Sequence, residues 1–346
     1  MNRASDKVLY HGVSSYQLLE VMLHRMLFHP RDWAVLLLPD FIVGKYPQWE
    51  TLSRGFFNEV RLFPYLSIPH GEERQVVEDT ARAYESLGLP DLEQFSKICI
   101  AGAHFYFSLY VLERRKPFSF FEDAAGLLSR PQEAMDVLAA KFPEHAALAQ
   151  SHGLFSARNP LIQEVFCCGK AQCRQVEAFG RMWDFSVERG LRVLSARQRK
   201  KLIRFFLPRP IKTKAETILL TQQFSNLGLL SEEGQLALYR ELAKSRLVKG
   251  PLLVKKHPDD PLDYREVFPG AEILKEVFPA ELLPYVFRGK RPKRVMAFGS
   301  AGLANLGESF ETVSLPMPCP VRWGKIVGSA VPSPERTEAL LRHPSL

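Results

Sequence analysis

The stretch KVLYHGVSSYQLLEVMLHRMLFHPRDWAVLLLPD, residues 7–40, decides the fold class. It opens on a short apolar run, KVLYHG (7–12), and passes into SYQLLEVMLHRMLF, whose apolar residues recur at helical spacing. It closes on a second apolar run, WAVLLLPD (33–40). Unbroken apolar runs on either side of an amphipathic helix are what parallel strands produce, because helices cover such a sheet on both faces. The spacing predicts strand, helix, strand, with the two strands parallel.

The same unit recurs along the chain. NEVRLFPY (58–65), FSKICIAG (95–102) and PFSFFED (117–123) read as strands, and EERQVVEDTARAYESLG (72–88) as a helix closed by glycine. The pattern restarts after residue 215. ETILLTQQ (216–223) reads as strand and loop, SEEGQLALYRELAKSRL (231–247) as a helix and PLLVKKHP (251–258) as a strand. AEILK then precedes a turn, VFPAELLPYVF, and RVMAFGSAGLANLG (294–307) runs from a strand through a glycine-rich turn into a helix. The expectation is an α/β chain of two doubly wound, Rossmann-like domains facing each other across a cleft at the carboxyl ends of their strands. The first domain is placed at 1–204, a basic linker at 205–215, the second domain at 216–330 and a tail at 331–346.

Bulk properties agree with that division. The 346 residues suit two domains of roughly 150, and 46% hydrophobic with 24% charged residues is globular rather than disordered composition. CIAGAHFYFSLYVL (99–112), the longest nearly uncharged stretch, falls short of the roughly 20 residues a bilayer requires. MNRASDKVLYHG lacks the apolar core of a signal peptide, so a cytosolic location is expected. Five cysteines suit reduced thiols better than a disulfide framework. CCGKAQC (167–173) has no second cysteine or histidine pair at ligand spacing, so zinc is not expected there.

A net charge of +8 favours phosphate-rich partners: a nucleotide, an anionic membrane face or nucleic acid. The segment LSARQRKKLIRFFLPRPIKTK (194–214) holds eight Lys or Arg and no acid. Its cations interleave with Leu, Ile and Phe, as in helices that lie on anionic lipid; a solvated cationic helix is the plainer alternative.

Chemistry is expected at strand ends. His257 ends an apolar strand, follows two lysines, and is fixed by Pro258 in an extended conformation. Such an imidazole can donate to a phosphate oxygen or act as a general acid, or it can merely cap the strand. Lys256 adds charge beside it, and Thr221 and Gln222 end the neighbouring predicted strand. Ser300, Ala301 and Gly302 form a strand-to-helix turn whose hydroxyl and backbone N–H groups could cradle phosphate; a plain helix cap is the competing reading. Glu122 and Asp123 follow PFSFF directly, where a carboxylate could take the proton of an incoming hydroxyl, or where both could compensate a helix dipole. The acids of SEEG (231–234) fit helix-start chemistry, and Asp259-Asp260 fits a turn.

Taken together, the acidic pair before a glycine, the strand-ending His-Pro and the downstream Ser resemble the bacterial sialyltransferases of GT-B-like fold, namely glycosyltransferase family 52 and the bacterial polysialyltransferases. The flanks ILLTQQ, LYRELAK, LLVKKHPDDPLDY, FPAELL and MAFGSAGLANL agree in order over about 216–307. The resemblance implies metal-independent, inverting transfer of sialic acid from a CMP donor to a hydroxyl of lipooligosaccharide or capsule, with no cofactor. Glu122 or Asp123 would be the base, and His257, Pro258 and Ser300 would meet the CMP phosphate. The sequence departs from the family in EDAAG, where two alanines separate the acids from the glycine. The same cleft could serve CMP-Kdo or a UDP-hexose. A basic nucleic-acid-binding protein is the non-enzymatic rival, although no such module is visible.

Overall fold

The computed structural model describes residues 6–69, 71–101, 106–122, 128, 132, 135–136, 138–139, 143–154, 158–167, 181–248 and 250–316. Asp123 of the acidic pair and the tail 331–346 lie outside the described residues. The chain divides into two compact units, Met1–Phe205 and Phe206–Leu346.

The first unit runs β1 (Lys7–His11), α1 (Ser15–Phe28), β2 (Trp33–Pro39), β3 (Glu59–Phe63), α2 (Glu73–Ser86), β4 (Lys97–Ala101), α3 (Tyr106–Glu113) and β5 (Phe118–Phe121). It continues through α4 (Pro143–Ser151), β6 (Ile162–Cys167), β7 (Arg181–Asp184), α5 (Val187–Val193) and α6 (Ala196–Phe206). Its seven strands pair in the order β3-β2-β1-β4-β5-β6-β7, every pair parallel. Val8, Leu9 and Tyr10 of β1 are fully buried, which is why that strand reads as an unbroken apolar run. The start of α1 is set by a capping box: Gln17 N–H donates to Ser14 Oγ at 3.1 Å and Ser14 N–H to Gln17 Oε1 at 3.1 Å. Such a cap contributes about 1 kcal/mol.

The second unit runs β8 (Thr217–Leu220), α7 (Glu232–Lys244), β9 (Leu252–Lys255), β10 (Glu272–Leu274), α8 (Leu283–Val286), β11 (Arg294–Phe298), α9 (Ala301–Leu306) and β12 (Glu311–Leu315). Its order is β10-β9-β8-β11-β12, again all parallel. Each sheet reverses winding once, between β1 and β4 in the first unit and between β8 and β11 in the second. The carboxyl ends of those strands are where open α/β sheets bind ligands. The predicted turn VFPAELLPYVF is a 3-10 turn at Ala280–Leu282 running into α8. The acids of SEEG start α7, where Ser231 Oγ accepts Gly234 N–H at 3.0 Å.

The basic segment behaves differently from the interfacial reading. Leu202, Phe205 and Phe206 of α6 are buried, Phe205 packs on the Tyr46 ring, and Lys201 Nζ donates to Gly55 O at 2.7 Å. The apolar face of this helix is used by the protein interior, which leaves cations rather than an apolar stripe on its outer side.

One core residue carries a pH dependence. His24 on α1 is fully buried, with Nδ1 3.0 Å from the Tyr10 hydroxyl. The Phe28, Phe121, Phe166 and Phe185 rings surround it. Among the described residues its Nε2 has no partner. Burial, reinforced by the His29 ring and the Lys97 ammonium, pushes its pKa well below the ordinary value. The folded ring therefore stays neutral below about pH 6.5, where the unfolded chain takes up a proton. Stability is full above that pH and declines as pH falls, by at most about 1.4 kcal/mol per unit. The thermal midpoint should drop between pH 7 and pH 5, and His24→Phe should flatten the slope. An unchanged slope in the variant would place the acid sensitivity elsewhere.

Candidate functional site

The carboxyl edge of the second sheet gathers polar side chains from four separate segments. Leu220 at the end of β8 is in register with Lys255 of β9 on one side and Ala297 of β11 on the other. Thr221, His257 and Ser300 therefore emerge from three adjacent strands spaced about 4.8 Å apart.

His257 is held by its backbone and by its ring. Its N–H donates to Thr221 Oγ1 at 3.1 Å, and its Nδ1 accepts the Asp259 N–H at 3.1 Å. With Nδ1 accepting, the proton of the neutral ring sits on Nε2, where it can be donated. Its side chain keeps 31% exposure, enough to meet a ligand. Pro258 follows in the turn, which the Asp260 N–H closes onto His257 O at 3.1 Å.

Asp260, read from the sequence as turn punctuation, is a buried hub. Its carboxylate accepts from Thr221 Oγ1, from Tyr264 Oη at 2.8 Å and from the Leu262 N–H at 3.2 Å. Gln235 of α7, fully buried, reaches the same carboxylate at 3.2 Å and donates to Gln222 O at 2.7 Å. Gln222 N–H in turn donates to Tyr239 Oη at 2.9 Å. One buried network thus fixes both the loop after β8 and the loop after β9, and with them Thr221, Gln222 and His257.

Beside it lies a second group, of which sequence reasoning noted only the lysine. Lys255, the last residue of β9, is 4% exposed, with its ammonium 4.6 Å from the centre of the Phe278 ring. Burial lowers its pKa to about 8, and the Glu281 carboxylate draws it back up. Glu281 is also buried; burial raises its pKa, opposed by Asn305 Nδ2, which donates to Oε1 at 3.1 Å, and by the Lys255 charge. A cation and a carboxylate sharing a nearly dry site at a strand end is an arrangement whose charge a bound phosphate or hydroxyl would reset. Lys256, next in the chain, is only half-buried.

Ser300 precedes α9 with an extended backbone, and its hydroxyl makes no capping bond to the helix. Ala301 opens α9. A Cβ added at Gly302 would lie 3.4 Å from Ser300 Oγ, 3.7 Å from Ala280 Cβ and 3.9 Å from Glu281 Oε1. Ser300, Gly302 and Glu281 therefore border one small space. The basic stretch RGKRPKR (288–294) does not join them. Its last residue, Arg294, opens β11, so it lies at the amino edge of the sheet, about 20 Å of extended chain from Ser300 at 3.3 Å per residue. The charge of that stretch, which composition alone would add to the phosphate site, is kept from it by topology.

In the first unit, Glu122 follows β5 at the carboxyl edge and is 5% exposed. Its Oε1 accepts the Leu128 N–H at 3.1 Å. Two strands away, His11 at the end of β1 is fully buried, with Nε2 2.7 Å from Tyr65 Oη. Like His257, His11 ends an apolar strand, but Gly12 rather than a proline follows it and no lysines precede it directly.

No family model matches the sequence, and no curated protein does. Solved structures match in fold. A Medicago truncatula protein complexed with UDP-glucose aligns with TM-score 0.54 and 10% identity over 98% of this chain and 89% of that one. A Polygonum tinctorium UDP-glucosyltransferase capable of glucosylating indoxyl aligns at TM-score 0.54 and 13% identity, over 92% and 81%. The Neisseria meningitidis UDP-GlcNAc 2-epimerase bound to UDP-GlcNAc gives TM-score 0.50 and 15% identity, over 97% and 94%. The fold is that of the GT-B glycosyltransferases: two parallel α/β sheets in Rossmann-like units.

Proposed function

We propose that the chain is a glycosyltransferase that takes its sugar from a nucleotide-activated donor bound at the carboxyl edge of the second sheet. The observation that carries this reading is the convergence of Thr221, His257, Lys255, Glu281 and Ser300 on one edge, at and beside the point where winding reverses. His257 Nε2–H, the Ser300 hydroxyl and the charges of Lys255 and Lys256 would stabilise the phosphate as it leaves. Glu281 would accept from hydroxyls of the donor.

In the proposed step the acceptor oxygen attacks the anomeric carbon and the bond from that carbon to the phosphate oxygen breaks. The acceptor proton passes to a carboxylate of the Glu122-Asp123 pair, and the electron pair of the broken bond leaves on the nucleotide. Glu122 already holds the Leu128 N–H from a buried position, so the proton-accepting role is assigned to Asp123.

Two donors have support. A UDP-linked hexose follows from the neighbours solved with UDP-glucose and UDP-GlcNAc. CMP-activated sialic acid follows from His257-Pro258 and Ser300, the residues of the sequence resemblance. Calorimetric titration with UDP and with CMP separates them: the first reading expects heat with UDP only, the second with CMP only, and no heat with either defeats both. Asp123→Asn should keep the nucleotide heat and lose sugar transfer by about 10²- to 10⁴-fold. Unimpaired transfer would remove Asp123 from the reaction.

A further inference from the structure

The amino edge of the second sheet is remote from the proposed donor site and has a character of its own. Two segments far apart in sequence meet there. Residues 211–216 lead into β8 and residues 286–293 lead into β11. They are tied by a parallel bridge between Ile211 and Phe287, by Arg288 N–H donating to Ile211 O at 2.8 Å, and by Lys293 N–H donating to Glu216 O at 3.0 Å. Lys212, Lys214, Arg288, Lys290, Arg291 and Lys293 are all exposed on this edge. Lys290 pairs with Glu216 at 3.1 Å, and Arg291 donates to Ser309 O at 3.0 Å and lies over the Phe310 ring. The other four, Lys212, Lys214, Arg288 and Lys293, have no ion pair among the described residues.

We propose that this two-segment cationic edge docks the protein on an anionic lipid surface, leaving the carboxyl edge of the same sheet open to donor. Three observations favour lipid over other anions. The cavity at this edge, about 390 Å³, is lined by Glu308 and Glu311 as well as by Arg291 and Lys293, so it is no pocket for a single phosphate. The attraction is that of a surface. Of the aromatic rings nearby, Phe310 is buried under Arg291 and Phe287 is half-buried, so the edge presents no row of open rings of the kind that single-stranded nucleic acid stacks on. The cations stand on loops at the edge of a sheet rather than on a helix or ribbon that enters a groove. Among the described residues no large hydrophobic side chain stands fully exposed on this edge, so docking here is by charge without insertion. This inference does not depend on the transferase reading.

The test is sedimentation of the full-length protein with vesicles. Phosphatidylcholine vesicles containing about a quarter phosphatidylglycerol should bind it at low salt, pure phosphatidylcholine should not, and about 0.5 M NaCl should release it. Each cation near such a surface contributes about fivefold (about 1 kcal/mol). The combined variant Lys212→Ala, Lys214→Ala, Arg288→Ala and Lys293→Ala should therefore weaken binding by a hundredfold or more. All four side chains are exposed, and an unchanged thermal midpoint and nucleotide heat would verify that the variant is folded. Equal binding to the two vesicle types, or variant binding equal to that of the parent, overturns the proposal. So does displacement from the vesicles by single-stranded RNA at equal phosphate concentration, which would make nucleic acid the partner.

Discussion

His257→Ala should slow sugar transfer by about 10²- to 10³-fold while moving the thermal midpoint by no more than one or two degrees. The rate loss follows from removing a donor aimed at charge that develops on the departing phosphate, an effect of about 2.7–4 kcal/mol where such donors have been deleted. The small change in stability follows from the surroundings: the side chain is 31% exposed, and the turn keeps the backbone bonds from His257 N–H to Thr221 and from Asp260 N–H to His257 O. His257→Asn sharpens the test, since its amide oxygen can accept the Asp259 N–H that the ring accepts now. The asparagine variant should hold the turn and still be slow. Kinetics and melting measured together decide the matter, and a variant that loses stability in step with activity would reduce His257 to a strand cap.

The doubly wound architecture was legible because central strands announce themselves. Val8–Tyr10, Ile218–Leu220 and Leu252–Val254 are apolar on both faces, and α1 covers the residues its periodicity predicted, Ser15–Phe28. The edge strand β3 was still read from NEVRLFPY, but two other edge strands gave no such signal. β7, Arg181–Asp184, has no buried residue and β12, Glu311–Leu315, has one; a half-solvated edge need not be apolar. At the site, His257 and Ser300 stood out because each interrupts an apolar run. Lys255 stood out only as one strand-end cation among several, and Glu281 and Asn305 not at all, because their significance lies in proximity across separate segments. Lys255 reads as one of two strand-end lysines and Glu281 as an acid in a turn until folding buries them near each other.

Asp260 is where the sequence was most misleading, and it carries the largest expected effect on stability. In the string His-Pro-Asp-Asp the two acids look equivalent, yet Asp259 is exposed and Asp260 buried. Replacing Asp260 with alanine strands Thr221 Oγ1, Tyr264 Oη and the Leu262 N–H without their acceptor. Buried donors left unpaired cost about 1–3 kcal/mol each, part of which relaxation or entering water recovers. A net loss on the order of 3–4 kcal/mol, or roughly ten degrees in the midpoint of the second unit, is expected for Asp260→Ala. Asp259→Ala should change it by under about 0.5 kcal/mol. The loss should extend to binding, because the Thr221 hydroxyl that loses Asp260 is also the one that takes the His257 N–H. Nucleotide affinity should therefore weaken in Asp260→Ala even below its melting range. Calorimetry well under the midpoint separates the two effects: affinity equal to that of the parent protein would mean that the buried network supports the fold without orienting the histidine.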